Sequence, residues 1–300
     1  MYQFLTPDNF IDYELIDTGN FEKLEQFGKY IVARPEPQAI WDKSLTEKDW
    51  NKMAQAYFRR DKNYKSDNIE NYEKGEWILK SEMPNQWFVQ YNYKSMHLKM
   101  RLGFTSFKHI GIFPEQAVNW DFIYDTIQNI KSEKSNILNL FAYTGGASLA
   151  ARAAGASVTH VDSVKQVISW SRENMEASGL SDIRWIVDDV IKFVQREIRR
   201  GKKYNGIILD PPAYGRGPDG EKWILEKSIN DLIKNCRQLL NNENSFLLLN
   251  LYSMGYSAII AESLVKSIFS DFKSIETGEL LLKDKTGRNL PLGIFSRFTL

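Results

Sequence analysis

Four places in the middle of the chain carry groups that could do chemistry: Gly145-Gly146, Asp162, the pair Asp188-Asp189, and Asp210 with the two prolines that follow it. Glycines let backbone approach a ligand closely, and the free N–H groups at a helix start can hold an anionic group. Asp162 lies about 20 residues beyond the strand that leads into the glycines, a separation at which one carboxylate can take two ribose hydroxyls. It can do so because both of its oxygens accept hydrogen bonds. Asp189 can accept from an exocyclic amine of the kind adenine presents. Taken singly, each acid also reads as a helix N-cap or a solvated loop residue. All four signals in order, one per strand end, are much harder to produce by capping alone.

The segment Asp210-Pro211-Pro212-Ala213-Tyr214-Gly215-Arg216-Gly217 is the most unusual stretch. Two prolines fix the backbone and remove two N–H donors where a buried strand exits, so the carbonyls and the Asp210 side chain can face a cleft. Tyr214 could stack on a planar substrate such as a base, and Arg216 could reach a phosphate. Asp210, Pro211, Pro212 and Tyr214 are therefore the candidate catalytic residues, with Tyr214 and Arg216 the candidate substrate contacts. The histidines (His97, His109, His160) are scattered, so no metal site is expected. Cys236, the single cysteine, sits with Leu225, Leu232, Leu239 and Leu240 on the apolar face of a helix and reads as a core residue. The basic run Arg196, Arg199, Arg200, Lys202, Lys203 reads as a solvated helix C-terminus.

These groups need strands that end together. Residues 137–141 form a short apolar run that ends in Thr144-Gly145-Gly146 and turns into a helix-forming segment closed by Gly155. Strands then alternate with helices: 157–162, a helix that Ser163 is expected to cap, 183–187, a helix from Val190 to Gly201, 204–209, a helix over 223–240, 245–253 and a helix over 259–269. That alternation implies a parallel sheet covered on both faces, whose ligands bind at the carboxyl edge of the strands. Residues 279–283 and 294–300 look like a terminal antiparallel pair. The first hundred residues read differently: a hairpin-like region over 13–34, an amphipathic helix over 50–60, an exposed polar loop over 61–74, and three strands within 77–102. Its aromatic residues are expected to fill the core of a small β-rich domain over 1–119, ahead of an α/β domain over 120–300.

Composition bounds the rest. The chain has 300 residues, 43% hydrophobic and 26% charged, with a net charge of +1. This is the balance of an ordinary globular protein, without the strongly basic character of a dedicated nucleic-acid-binding domain. One cysteine allows no internal disulfide and fits a reducing compartment. No apolar run is long enough to span a bilayer, and the start of the chain lacks a secretory pattern, so a cytoplasmic protein is expected.

In this order the motifs resemble the class I S-adenosylmethionine-dependent methyltransferases, and more narrowly the large-subunit ribosomal-RNA methyltransferase I and K type. Residues 138–146 (Leu-Asn-Leu-Phe-Ala-Tyr-Thr-Gly-Gly) resemble that group's cofactor loop; Val161-Asp162-Ser163, Asp188-Asp189-Val190 and Asp210-Pro211-Pro212 fall at its next three motifs. Gly111-Ile112-Phe113-Pro114-Glu115-Gln116 resembles the segment that folds over the cofactor, although Ala117 stands where the family has arginine. The resemblance implies an α/β, Rossmann-like seven-stranded domain holding S-adenosyl-L-methionine. Its amino-acid end would lie at Ala142, Tyr143, Thr144, Gly145 and Gly146, the ribose at Asp162 and the adenine at Asp189, with Phe113, Gln116, Phe141, Ser163, Asp188 and Asp210 completing the site. It also implies a ribosomal-RNA substrate. Members that methylate a cytosine carbon use a cysteine after the fifth strand, where this chain reads Asn250-Leu251-Tyr252-Ser253. A nitrogen or oxygen acceptor, which needs no covalent activation, is therefore expected, with a base nitrogen favoured. The RNA-binding module at the start of methyltransferase I is not apparent, and the aromatic β region stands in its place. The rival readings are the same chemistry on a protein or small molecule, and a cofactor-binding scaffold without turnover.

Overall fold

The computed structural model describes residues 1–60, 75–80, 82–130, 135–252 and 255–300. The expected polar loop over 61–74 lies outside them. A mixed sheet of eight strands organises the molecule. Five of its strands are β9 (Asn136–Leu140), β10 (Ser157–Asp162), β11 (Ile183–Val187), β12 (Gly206–Leu209) and β15 (Phe246–Tyr252), all parallel in the order β11-β10-β9-β12-β15. The antiparallel pair β16 (Ser274–Lys283) and β17 (Asn289–Thr299) follows, with β17 beside β15. The eighth strand, β1 (Gln3–Leu5), comes from the start of the chain and pairs with the outer edge of β16. No side chain could stand at Gly278 on that edge: a Cβ there would lie 1.8 Å from the Gln3 carbonyl oxygen.

The parallel strands are near-continuous apolar runs because both sheet faces are covered. On one face, α2 (Ala117–Asn129) and α3 (Gly146–Ala153) pack together with a hairpin made of β7 (Gln86–Tyr93) and β8 (Met96–Gly103). The helix α4 (Lys165–Ala177) runs against β8: the Trp170 indole N–H donates to the Arg101 carbonyl and Asn174 accepts from the Arg101 N–H. On the other face lie α5 (Val190–Arg199), α6 (Leu225–Leu239) and α7 (Ala258–Lys266). Cys236 is fully buried in this layer, as its helical face requires, and burial pushes its thiol well above the ordinary range.

The region before the large sheet contains β2 (Tyr13–Gly19), β3 (Glu22–Phe27) and β4 (Tyr30–Pro35) as a meander, joined by β5 (Ala56–Arg60) and β6 (Gly75–Leu79). The helix expected over 50–60 is shorter and earlier. This helix, α1, spans Glu47–Met53, set by a capping box in which Thr46 and Asp49 satisfy each other's backbone N–H groups. Tyr57 and Phe58 instead lie on β5, which pairs with β4 and β6. Tertiary pairing overrides their helical spacing. A buried ionic group of Lys23, Glu25, Arg34 and Glu36 closes the meander against the large sheet, and Tyr252 at the end of β15 donates to Glu36 at 3.3 Å. Aromatic side chains carry the junction: Phe10, Tyr91 and Trp120 meet edge to face or tilted. One hydrophobic core therefore runs from the β7–β8 hairpin into the large sheet.

Candidate active site

The loop leaving β9 is strained in a regular way. Phe141, Tyr143 and Gly145 all take positive φ, at 57°, 48° and 96°. For the two non-glycine residues such a backbone costs on the order of 1 kcal/mol each, a cost characteristic of functional loops. Surrounding contacts hold it. The Tyr143 N–H donates to Asp162 at 3.0 Å, the Thr144 hydroxyl donates to the Gly111 carbonyl at 2.7 Å, and Ser171 donates to the Tyr143 carbonyl at 2.7 Å. Gly111 must be glycine, since a Cβ would sit 2.2 Å from the Trp170 ring. Gly146 is equally constrained by Trp120, at 2.5 Å. The helix α3 starts on this loop with no side-chain cap, so its first N–H groups border the cleft.

Beneath the loop runs a buried polar chain that sequence reasoning did not single out. Asn139 donates to the Ser148 hydroxyl at 2.9 Å, and Ser148 meets His160 Nδ1 at 2.9 Å. The Tyr143 backbone lies next to the buried His160 ring and favours its charged form. Burial outweighs that contact and drives the imidazole down to about 3, so it is neutral at physiological pH.

Phe113, Gln116, residues 141–147, Asn139 and Asp210 line one recess, floored by Trp120, Ile208 and Leu248. The recess encloses about 50 Å³ of space and opens to solvent at its mouth. Asp162, Ser163, Asp188 and Asp189 do not line the recess. They stand along its rim on the same sheet edge, tied to it by Tyr143 N–H to Asp162 and by Asp188 N–H to the Asp162 carbonyl at 3.1 Å. Asp162 also accepts from the Val164 N–H at 2.9 Å; burial raises its carboxyl and these N–H groups oppose the shift. Asp189 caps α5 through the Lys192 N–H at 2.9 Å, and Asp188 pairs with Arg196. Ser163 caps no helix, because α4 begins only at Lys165, and Asp162 takes up the Val164 N–H in its place.

At the end of β12, Asp210 forms part of the recess wall. Asn250 Nδ2 donates to its Oδ1 at 2.7 Å, while Asn250 Oδ1 is buried without a partner among the described residues. Burial raises the Asp210 carboxyl to about 6, against the pull of that amide. The proline carbonyls are not equivalent. The Trp223 indole N–H donates to the Pro212 carbonyl at 2.7 Å, and the Trp223 ring packs on Phe141 with centroids 4.7 Å apart. The Pro211 carbonyl accepts nothing from the described residues. Trp223 is not the first turn of a helix as expected. It lies on β14 (Lys222–Ile224), paired with β13 (Tyr214–Arg216), and α6 starts two residues later. Tyr214 and Arg216 stand on β13 beside the recess, half-buried and exposed respectively, and neither lines it. Among the described residues no cluster of His, Cys, Asp and Glu could hold a metal ion, and no helix is long and apolar enough to cross a membrane. In the basic run, Arg196 and Arg200 pair with Asp188 and Glu197, as a helix C-terminus would.

The S-adenosylmethionine-dependent methyltransferase family model matches residues 42–268. The chain belongs to this family. S-adenosyl-L-methionine is the family's cofactor, and the uncapped start of α3 at the recess, where backbone N–H groups face an anion's place, fits the charged end of such a molecule. A crystal structure of an S-adenosylmethionine-dependent methyltransferase from Agrobacterium tumefaciens is 36% identical, with a TM-score of 0.88, covering 99% of this chain and 93% of that one. The ribosomal RNA large subunit methyltransferase K/L of Shewanella frigidimarina is 30% identical over 51% of this chain and 21% of its own length. The large subunit methyltransferase I of Escherichia coli O139:H28 is 31% identical over 46% of this chain and 34% of its own. The chain thus matches only a fifth to a third of the length of these curated relatives. The Rossmann-like fold, with its β-rich beginning, agrees with the family resemblance read from the sequence.

Proposed function

We propose that this methyltransferase acts on a nitrogen of a ribosomal-RNA base, without a cysteine nucleophile. One observation carries the reading: the half-buried Asp210 carboxylate lines the recess at the end of β12, and the carbonyl of the next residue, Pro211, has no partner among the described residues. Together they offer two hydrogen-bond acceptors to an amino or ring nitrogen that must shed a proton. Asn250 fixes one Asp210 oxygen and leaves the other for the acceptor. With its carboxyl near 6, Asp210 is largely ionised at neutral pH, yet basic enough to share the departing proton.

S-adenosyl-L-methionine, when bound, supplies the electrophilic methyl. The protein's part is placement. The uncapped backbone N–H groups at the start of α3, with Phe113 and Gln116, would hold the amino-acid end in the recess. The adenosyl group would lie across the rim, the ribose at Asp162 and the adenine beside Asp188 and Asp189. Tyr214 and Arg216, on the hairpin after the prolines, would meet the acceptor base and its phosphate. Displacement at a sulfonium methyl needs in-line alignment more than a strong base, so fixed geometry supplies most of the rate.

The ribosomal-RNA substrate is supported by what the two curated relatives are named for, and the nitrogen acceptor by Cys236, which is buried in α6 and cannot reach a substrate. The β2–β6 region would serve substrate recognition, joined to the large sheet where Glu36 meets Tyr252. The test is transfer of a labelled methyl group into RNA from a strain lacking the protein, set beside protein and metabolite fractions. Label in RNA supports the reading. Label only in another fraction, or in none, overturns it in favour of another substrate or a non-catalytic scaffold.

A further inference from the structure

Gln116 stands at the wall of the recess, and a side-chain amide can present either a donor or an acceptor to a ligand. Here its direction is fixed from a distance. Arg297 on β17 is buried and held by Glu276, with Nε donating to Glu276 Oε2 at 2.8 Å. Its guanidinium lies between the rings of Phe122 and Phe295, 4.3 and 4.9 Å from their centroids. Arg297 Nη1 then donates to Asn119 Oδ1 at 3.3 Å and to the Val118 carbonyl at 3.4 Å.

A guanidinium can only donate, so it dictates which end of the Asn119 amide faces it. The Asn119 oxygen is taken up, and its nitrogen points to Gln116, donating to Oε1 at 2.9 Å. Asn119 is 1% exposed and has no room to turn away. That leaves Gln116 Nε2 as the free end, without a partner among the described residues. A chain that begins at an obligate donor thus ends in a donor at the recess, close to the uncapped start of α3.

We propose that Arg297 and Asn119 are positioning residues that lock Gln116 with its N–H donors toward the recess, where they serve the carboxylate end of the cofactor. The inference rests on the cofactor placement proposed above. The substitution Asn119→Asp reverses the end of the chain. The carboxylate it introduces could only accept, so Gln116 would turn its nitrogen to it and leave its oxygen facing the ligand carboxylate.

Calorimetry on the full chain separates the possibilities, using S-adenosylhomocysteine, which carries the carboxylate, and methylthioadenosine, which lacks the amino-acid end. Asn119→Asp is expected to weaken S-adenosylhomocysteine roughly tenfold or more and to leave methylthioadenosine within about twofold. Arg297→Met, which frees the Asn119 amide to rotate, is expected to give a smaller loss with the same split. Equal weakening of both ligands, as general damage to the site would give, overturns the proposal, and so does unchanged affinity for both. A wild-type protein that binds neither ligand would instead defeat the cofactor placement itself, and the positioning role with it.

Discussion

Asn250 and Asp210 meet at 2.7 Å across two neighbouring parallel strands, and the amide nitrogen, not its oxygen, faces the carboxylate. This pair joins the proline segment to the centre of the sheet. It holds one carboxylate oxygen and leaves the other toward the recess.

Asn250→Ala is expected to raise the Asp210 carboxyl further above 6, because the amide favours the charged form. The alkaline shift should appear in the pH profile of methyl transfer. Burial and Asn250 are the two influences on Asp210 among the described residues, so no other charged group compensates. An unchanged midpoint would contradict the role given to Asn250.

Asp210 also makes a stability prediction with a definite sign. Its folded value, about 6, lies above the ordinary 3.8, so the folded state binds the proton more tightly than the unfolded one. Stability is therefore lost as pH rises from about 4 to about 6. Asp210→Asn should be neutral near pH 4 and stabilising above pH 6, by at most about 3 kcal/mol and less where solvent screens the site. Melting temperatures of the two proteins from pH 4 to pH 8 check this, while methyl transfer by the variant should fall at least roughly a hundredfold.

His160 gives the opposite case. Its folded value, about 3, lies below the ordinary 6.5, so its contribution is complete above about pH 6.5 and is lost as pH falls toward 3. In that window one proton costs about 1.4 kcal/mol per pH unit. His160→Phe should flatten the acid limb of the melting curve. It should also weaken cofactor binding at neutral pH, because the ring lies 3.7 Å from where a Gly145 Cβ would stand and supports the strained loop through Ser148.

Trp223→Phe should separate the two proline carbonyls. The variant keeps a ring against Phe141 but loses the indole N–H to Pro212. A stability loss of about 1 kcal/mol is expected, with cofactor affinity unchanged and kcat reduced. Reduced cofactor affinity with normal kcat would contradict this division of labour.

Much of this site could be read from the chain because it is written where strands end. An apolar run followed by a glycine or an acid is a local pattern, and it placed residues 141–146, Asp162, Asp188 and Asp210 on one sheet edge. The misread parts depend on distant partners. Tyr57 and Phe58 fit a helical period, and only pairing with β4 and β6 makes them a strand. The β13–β14 hairpin has three-residue strands, too short to show any period. Asn250 left one trace, a polar residue inside the run Phe-Leu-Leu-Leu-Asn-Leu-Tyr, which signals a buried partner without naming it. Asn119 and Arg297 are 178 residues apart and left none.

The central claim, transfer to a base nitrogen at the Asp210 strand end, is tested most directly by mass spectrometry of ribosomal-RNA nucleosides. Cells with the protein, cells without it, and cells carrying Asp210→Asn should be compared. The account predicts that one nitrogen-methylated base disappears from large-subunit RNA in the second and third and is present in the first. Identical nucleoside profiles in all three, or loss of a carbon-methylated base instead, would contradict it.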